Sequence, residues 1–197
     1  REVVEAAVAQ NGGALAYASA ELQEDRELLL AAVADGRALR YAPARLKGDR
    51  EVVLRAVAQN GGMLVYASAE LQGDREVVLV AVTQNGLALV YASRELKGDR
   101  EVVLVAVAQR GDMLAYASVE LRGDREVVQA AVAQNGGALT HASAELQGDR
   151  ELLLAAVADG RALRYAPARL KGDREVVLRA VAQNGGMLVY ASAELQG

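Results

Sequence analysis

Residues 48–73 read GDREVVLRAVAQNGGMLVYASAELQG, and variants of this stretch fill the chain from end to end. They open at Arg1, Arg26, Arg50, Arg75, Arg100, Arg125, Arg150 and Arg174, which divides the sequence into units 1–25, 26–49, 50–74, 75–99, 100–124, 125–149, 150–173 and 174–197. A fixed period of this size is the signature of a solenoid, in which each unit leans on its neighbours. The eight units form one continuous repeat array over residues 1–197.

Within the unit at Arg50, Asp49 is placed to cap a helix, and Glu51 sits in the first turn, where the helix dipole favours negative charge. Val52, Val53, Ala56 and Val57 follow at a spacing that covers an arc of roughly 140°, which suits a helix with one buried face. Asn60-Gly61 is read as the stop, with glycine in the left-handed conformation after the last helical turn. A second helical segment starts near Gly62, with Met63, Leu64, Ala67 and Leu71 on one face and Tyr66 at its edge. Two units carry Pro43 and Pro167 where this one has Ser68, and a proline inside a helix costs about 3 kcal/mol or more. The second helix is therefore expected to end near Ala67 and to give way to a tight or 3₁₀ turn through Leu71. Helices this short are marginal alone, below the ~12–15 residues an isolated helix needs. The expected fold is all-α: a right-handed α-solenoid of eight two-helix repeats.

Two units are one residue shorter, with ADGRAL where others have AQNGGAL. The deletion falls between Ala34 and Ala38, so Val33 and Leu39 are expected to keep the places of Val57 and Leu64. These units carry Asp35 and Asp159, Arg37 and Arg161, Arg40 and Arg164, and Arg45 and Arg169, which makes their second segments more basic. A longer period overlies the short one. Residues 26–73 and 150–197 are identical, and residues 1–25 differ from 125–149 only at Glu5/Gln129, Ala16/Thr140, Tyr17/His141 and Glu24/Gly148.

The stretch from Asp74 to Val82 (DREVVLVAV), the following Asn85-Gly86, and Ala88 to Leu96 (ALVYASREL) resemble the repeats grouped as domain of unknown function 4116. The resemblance covers the whole chain and implies a short helical repeat with no assigned biochemical role and no catalytic residues. The layout is more distantly similar to tetratricopeptide, HEAT and armadillo arrays, which are mostly binding scaffolds.

Composition narrows the function classes. Hydrophobic residues make up 52% of the chain, yet the aromatics are seven tyrosines with no Phe or Trp, so alanine, valine and leucine do the packing. The net charge of −4 and pI near 5.2 argue against general affinity for nucleic acid or an anionic membrane. No apolar run approaches the ~20 residues needed to span a bilayer. There is no cysteine, so disulfides and thiolate metal sites are absent.

No residue set points to a reaction, a cofactor, a metal or a small-molecule substrate, and the chain is not expected to be an enzyme. His141 stands alone where seven units have tyrosine, and one histidine without a second ligand is poor support for a metal or a general base. The tyrosine ladder itself reads either as packing between units or as a binding stripe. The repeated Asp-Arg-Glu reads as helix capping plus ion pairs between neighbours. The asparagines before glycine read as helix stops.

Variable positions carry what specificity exists. Arg55, Val80 and Val105 occupy the sixth position of their units, and Val65 and Val90 the third residue of the second segment. Both positions are expected to point away from the core, with the valines forming an exposed apolar patch that a protein partner could cover. Neither terminal unit replaces its apolar face with charge. Val4, Val8 and Leu15 near the start and Val177, Val181 and Leu188 near the end are the candidate end-to-end contacts. The partner is therefore expected to be either the chain itself, stacked head to tail between copies or within a longer array, or another protein along the variable ridge.

Overall fold

The computed structural model describes residues 1–35, 37–159 and 162–197, and is helical throughout, with no strand among the described residues. Gly36, Gly160 and Arg161 lie outside the described residues. The chain packs as two compact units, Arg1–Ala106 and Val107–Gly197. In each of them successive repeats stack side by side in the manner of a solenoid.

Every repeat begins with the helix the sequence specifies. In the third repeat it is Arg50–Gln59, capped by Asp49, whose side chain accepts from the N–H groups of Glu51 and Val52. Val52, Val53, Ala56 and Val57 are its buried face. Equivalent ten-residue helices run over Arg75–Gln84, Arg100–Gln109, Arg125–Gln134 and Arg174–Gln183. In the shorter repeats the helix ends a turn early, at Ala32 and Ala156, and a 3₁₀ turn completes the ten residues at Val33–Asp35 and Val157–Asp159. Val33 and Leu39 are both fully buried, as Val57 and Leu64 are, so the deletion is absorbed in the connection.

The second segment differs in kind from the expectation. It is a six-residue 3₁₀ helix, Gly61–Tyr66, rather than a short α-helix. With three residues per turn, side chains three apart eclipse one another. Gly61, Leu64 and Ala67 therefore share one edge, and all three are buried. The same period of three buries Gly86, Leu89 and Ala92 in the next repeat, and Gly111, Leu114 and Ala117 in the one after. A 3₁₀ helix of this length is unusual, and side chains hold both its ends. Asn60 Oδ1 accepts from Gly62 N at 3.0 Å, while Gln72 Nε2 donates to the carbonyls of Leu64 and Ala67 at 3.1 and 3.2 Å. A single turn then closes the repeat, as 3₁₀ at Leu71–Gly73 or as four α-helical residues at Ala20–Gln23 and Ala44–Lys47.

Glycine at the Asn-Gly step does not adopt the left-handed conformation. Asn60 is extended (φ −148°, ψ 101°), and among the described residues only Gly197 has a positive φ. Gly61 is needed because the next repeat comes too close for a side chain. A Cβ there would overlap the Ala81 carbonyl oxygen and lie 3.1 Å from Asn85 N. The same collision with the next repeat's alanine carbonyl occurs at Gly12 with Ala32 and at Gly111 with Ala131.

Candidate interaction surfaces

Each helix begins where two repeats meet, and a charged ladder runs along these starts. Arg26 Nε donates to Asp49 at 2.6 Å and its Nη2 to Glu51 at 2.7 Å. Arg50 reaches Asp74 and Glu76, Arg75 reaches Asp99 and Glu101, Arg125 reaches Asp149 and Glu151, and Arg150 reaches Asp173 and Glu175. One arginine thus holds both the cap and the first-turn glutamate of the following helix. The hydrogen bond from Arg26 holds Asp49 below the ordinary carboxylate range against the opposing effect of burial, with the N–H of Val52 adding to it. Asp74, Asp99 and Asp173 are lowered in the same way. This arrangement is the capping and neighbour pairing read from Asp-Arg-Glu, and it places like carboxylates in like surroundings.

A second ladder joins the repeats through the backbone. Ser68 N donates to Lys47 O, Ser93 N to Gln72 O, Ser143 N to Arg122 O and Ser192 N to Lys171 O, at 2.8–2.9 Å. Pro43 and Pro167 stand at the same register and have no N–H to give.

The tyrosines lie on the surface rather than in the core. Tyr17, Tyr41, Tyr91, Tyr116 and Tyr165 are exposed, and Tyr66 and Tyr190 half-buried. In the first compact unit Tyr17, Tyr41 and Tyr66 line a groove of about 400 Å³ together with Arg37, Arg40 and Met63. The Arg40 guanidinium lies 5.7 Å from the Tyr41 ring centre. In the second compact unit His141 and Tyr165 line a groove of about 340 Å³ with Asp112, Asn135 and Thr140. His141 ends the 3₁₀ helix Gly136–His141 at the tyrosine position and is half-buried. Among the described residues no three His, Cys, Asp or Glu side chains gather as a metal site would require.

The four valines of the variable ridge do not make one exposed patch. Val65 is exposed, as is Arg55, which pairs with Glu51 at 3.2 Å, but Val80, Val90 and Val105 are half-buried. At 100° per residue the sixth position lies only about 60° beyond the edge of the buried arc, on its flank rather than its far side. The more exposed apolar side chain is Val119, at 69%. It stands in the turn after Ser118, in a register filled by alanine or arginine in the other repeats.

The candidate end contacts divide in two. Val8, Leu15 and Val177 are buried by the chain's own repeats, whereas Val4 and Val181 are half-buried and Leu188 is exposed. A repeat has two stacking faces. The third position meets the repeat before it, and the glycine and leucine of the 3₁₀ helix meet the repeat after it. Val3 is accordingly 83% exposed where Val52 is fully buried, and Leu188 is 43% exposed where Leu64 is fully buried. The candidate end contacts are equivalent positions at the two ends, Val4, Val8 and Leu15 against Val177, Val181 and Leu188, whereas the two stacking faces draw on different positions of the repeat. The basic groove rim at Arg37 and Arg40 was also missed, since the tyrosine ladder and the basic short repeat were read apart although both bear on one groove.

No helix of the described residues is long and apolar enough to cross a membrane. Neither the characterised proteins nor the solved structures compared with the chain contain a match. Seven overlapping stretches, 1–47, 26–72, 49–97, 74–122, 99–147, 124–158 and 149–196, match the family described as Domain of unknown function (DUF4116). Most span about two repeats, and successive matches advance by one repeat. The tandem helical repeats make the protein a structural or interaction scaffold, and the chain belongs to the DUF4116 family.

Proposed function

We propose that the protein is a non-catalytic structural repeat protein whose arrays extend by stacking, one repeat's trailing face taking up the leading face of the next, into a longer solenoid or a filament. The observation that carries this reading is the socket at Gly185. Inside the stack Gly12, Gly61 and Gly111 each lie against an alanine carbonyl of the following repeat, whereas a Cβ on Gly185 would meet nothing within 4 Å. Leu188 and Val181 border the same open face. Val3 and Val4 supply the opposite one. Two different faces that fit each other make a heterologous contact, which propagates rather than closes.

Gly185→Val separates stacking from folding. Its φ is not positive and its surroundings are open, so the variant keeps its Tm. An incoming alanine carbonyl would collide with the new side chain, so assemblies seen by light scattering and electron microscopy shorten. A wild-type chain that stays monomeric at high concentration overturns the stacking reading. The alternative is then a monomeric scaffold that binds another protein along the ridge of Arg55, Val65, Val80, Val90 and Val105. No cofactor, nucleic acid, membrane or small-molecule substrate enters either reading.

A further inference from the structure

Arg37 and Arg40 are not part of the ladder. Arg26, Arg50, Arg75, Arg125 and Arg150 are each tied to carboxylates of the next repeat. The Arg37 and Arg40 guanidinium groups have no carboxylate partner among the described residues, and both are exposed. They line the groove over Tyr17, Tyr41 and Tyr66, and no carboxylate lines it with them. Asn11, at one end, accepts from Gly13 N through Oδ1, which leaves its side-chain NH₂ as a further donor. A concave site of about 400 Å³ lined by three tyrosines and by two arginines without a carboxylate partner among the described residues is of the size and make-up of a ligand site.

We propose that this groove takes an extended acidic peptide segment of a partner protein. One or two of its carboxylates are held by Arg37 and Arg40, which present forked donors matched to that group. Its intervening side chains lie over the rings of Tyr17, Tyr41 and Met63's neighbour Tyr66, large rigid surfaces that lose little freedom on binding. A single-stranded nucleic acid could also stack on tyrosines. The charge distribution disfavours it, because a polyphosphate needs a continuous basic track, and this chain carries −4 overall with two free arginines at the groove. The second groove, around His141 and Tyr165, has Asp112 in its lining. This inference does not rest on stacking, since the groove lies within one compact unit.

The test is fluorescence anisotropy with the whole chain and a labelled peptide of alternating Glu and Leu with Gly spacers. A Gln-for-Glu version of the peptide and an oligouridine of equal length are the comparisons. The Glu peptide is expected to bind, with affinity falling about tenfold or more for the Gln peptide and for Arg37→Glu/Arg40→Glu. Arg179→Glu, at an exposed site outside the groove, is expected to leave binding unchanged. Both groove positions are exposed, so the double variant should keep its circular dichroism, and Arg37→Gln/Arg40→Gln serves if it does not. No binding of the Glu peptide, equal binding by the groove variants, or tighter binding of oligouridine overturns the proposal.

Discussion

Gly61 lies so close to the carbonyl oxygen of Ala81, one repeat further on, that a single added methyl group would overlap it. The backbones of neighbouring repeats are in contact there, with no side chain between them, and this contact sets how closely the helices stack. Gly61→Ala must push the repeats apart or distort the 3₁₀ helix. Overpacking of this kind costs ~1–3 kcal/mol, and the rigid carbonyl on the other side puts the substitution at the upper end. Gly73→Ala is the control, since its nearest neighbours are the Ser93 side-chain atoms at 3.8 Å, an ordinary contact. It should be neutral or stabilise by up to ~1 kcal/mol, through reduced freedom of the unfolded chain. Chemical denaturation of the two variants measures the difference, and equal stabilities would contradict the close-approach account.

The charged ladder predicts an acid limit. Asp49, Asp74, Asp99 and Asp173 are held below their ordinary value, first by the arginine of the preceding repeat. Asp149 is held down first by the Leu152 N–H and then by Arg125. A carboxylate whose folded value is depressed contributes stability that is fully present above its unfolded value, near 3.8. That contribution is lost as pH falls through the lower folded value. Tm should therefore be insensitive to these groups from pH 5 to 8 and fall steeply below about pH 4. Asp74→Asn should make the acid fall shallower while lowering stability at neutral pH by at most ~1 kcal/mol, since asparagine still caps the helix and only the ion pair with Arg50 is lost. A Tm profile flat down to pH 2 would show that the ladder contributes nothing.

The buried arc of the first helix is tested by a pair of substitutions. Val57 is fully buried and Arg55 exposed. Val57→Asp places an unpaired carboxylate in the core and should cost several kcal/mol, on the order of 3 or more. Arg55→Ala loses only a surface pair to Glu51, worth ~0.3–0.5 kcal/mol in a helix. Equal melting temperatures would mean that the helix is rotated from the position described.

Much of this was legible in the letters, and the reasons for the rest are specific. Asp49, the apolar pairs Val52-Val53 and Ala56-Val57, and Gln59 mark the first helix because cap, arc and length agree. The second segment misled because Met63, Leu64, Ala67 and Leu71 also fit one α-helical face. The period of three through Gly61, Leu64 and Ala67 is present in every full-length repeat, but a six-residue 3₁₀ helix is rare enough that an α-helix is the natural reading. A glycine needed for close approach and one needed for a positive φ are the same letter. Only the position of the neighbouring repeat tells Gly61 apart from a helix stop. The groove at Arg37 and Arg40 depends on which residues of adjacent repeats come together, and the linear order does not state that.

The proline repeats lead to a prediction about the backbone ladder. Ser68 N donates to Lys47 O at 2.9 Å, and Pro43 and Pro167 occupy the same register without a donor. The backbone is already suited to proline. Pro43 and Pro167 have φ of −66° and −62°, and Ser19, Ser143 and Ser192 lie at −61°, −59° and −61°. Ala67, the residue before, is extended at φ −65° and ψ 155°, as a residue preceding proline prefers. Ser68→Pro gives up one hydrogen bond between repeats, worth ~0.5–1.5 kcal/mol net. The Ser68 Oγ contact to Leu71 N, at 3.4 Å, is too long to add much. Against this, proline stabilises by ~0.4–1 kcal/mol through the unfolded chain. The two nearly cancel, so the net change should stay within about 1 kcal/mol, far below the ~3 kcal/mol of a proline inside a helix such as Leu54→Pro. A loss for Ser68→Pro as large as that for Leu54→Pro would show that this single backbone bond, rather than the buried Gly61–Leu64–Ala67 edge, holds one repeat against the next.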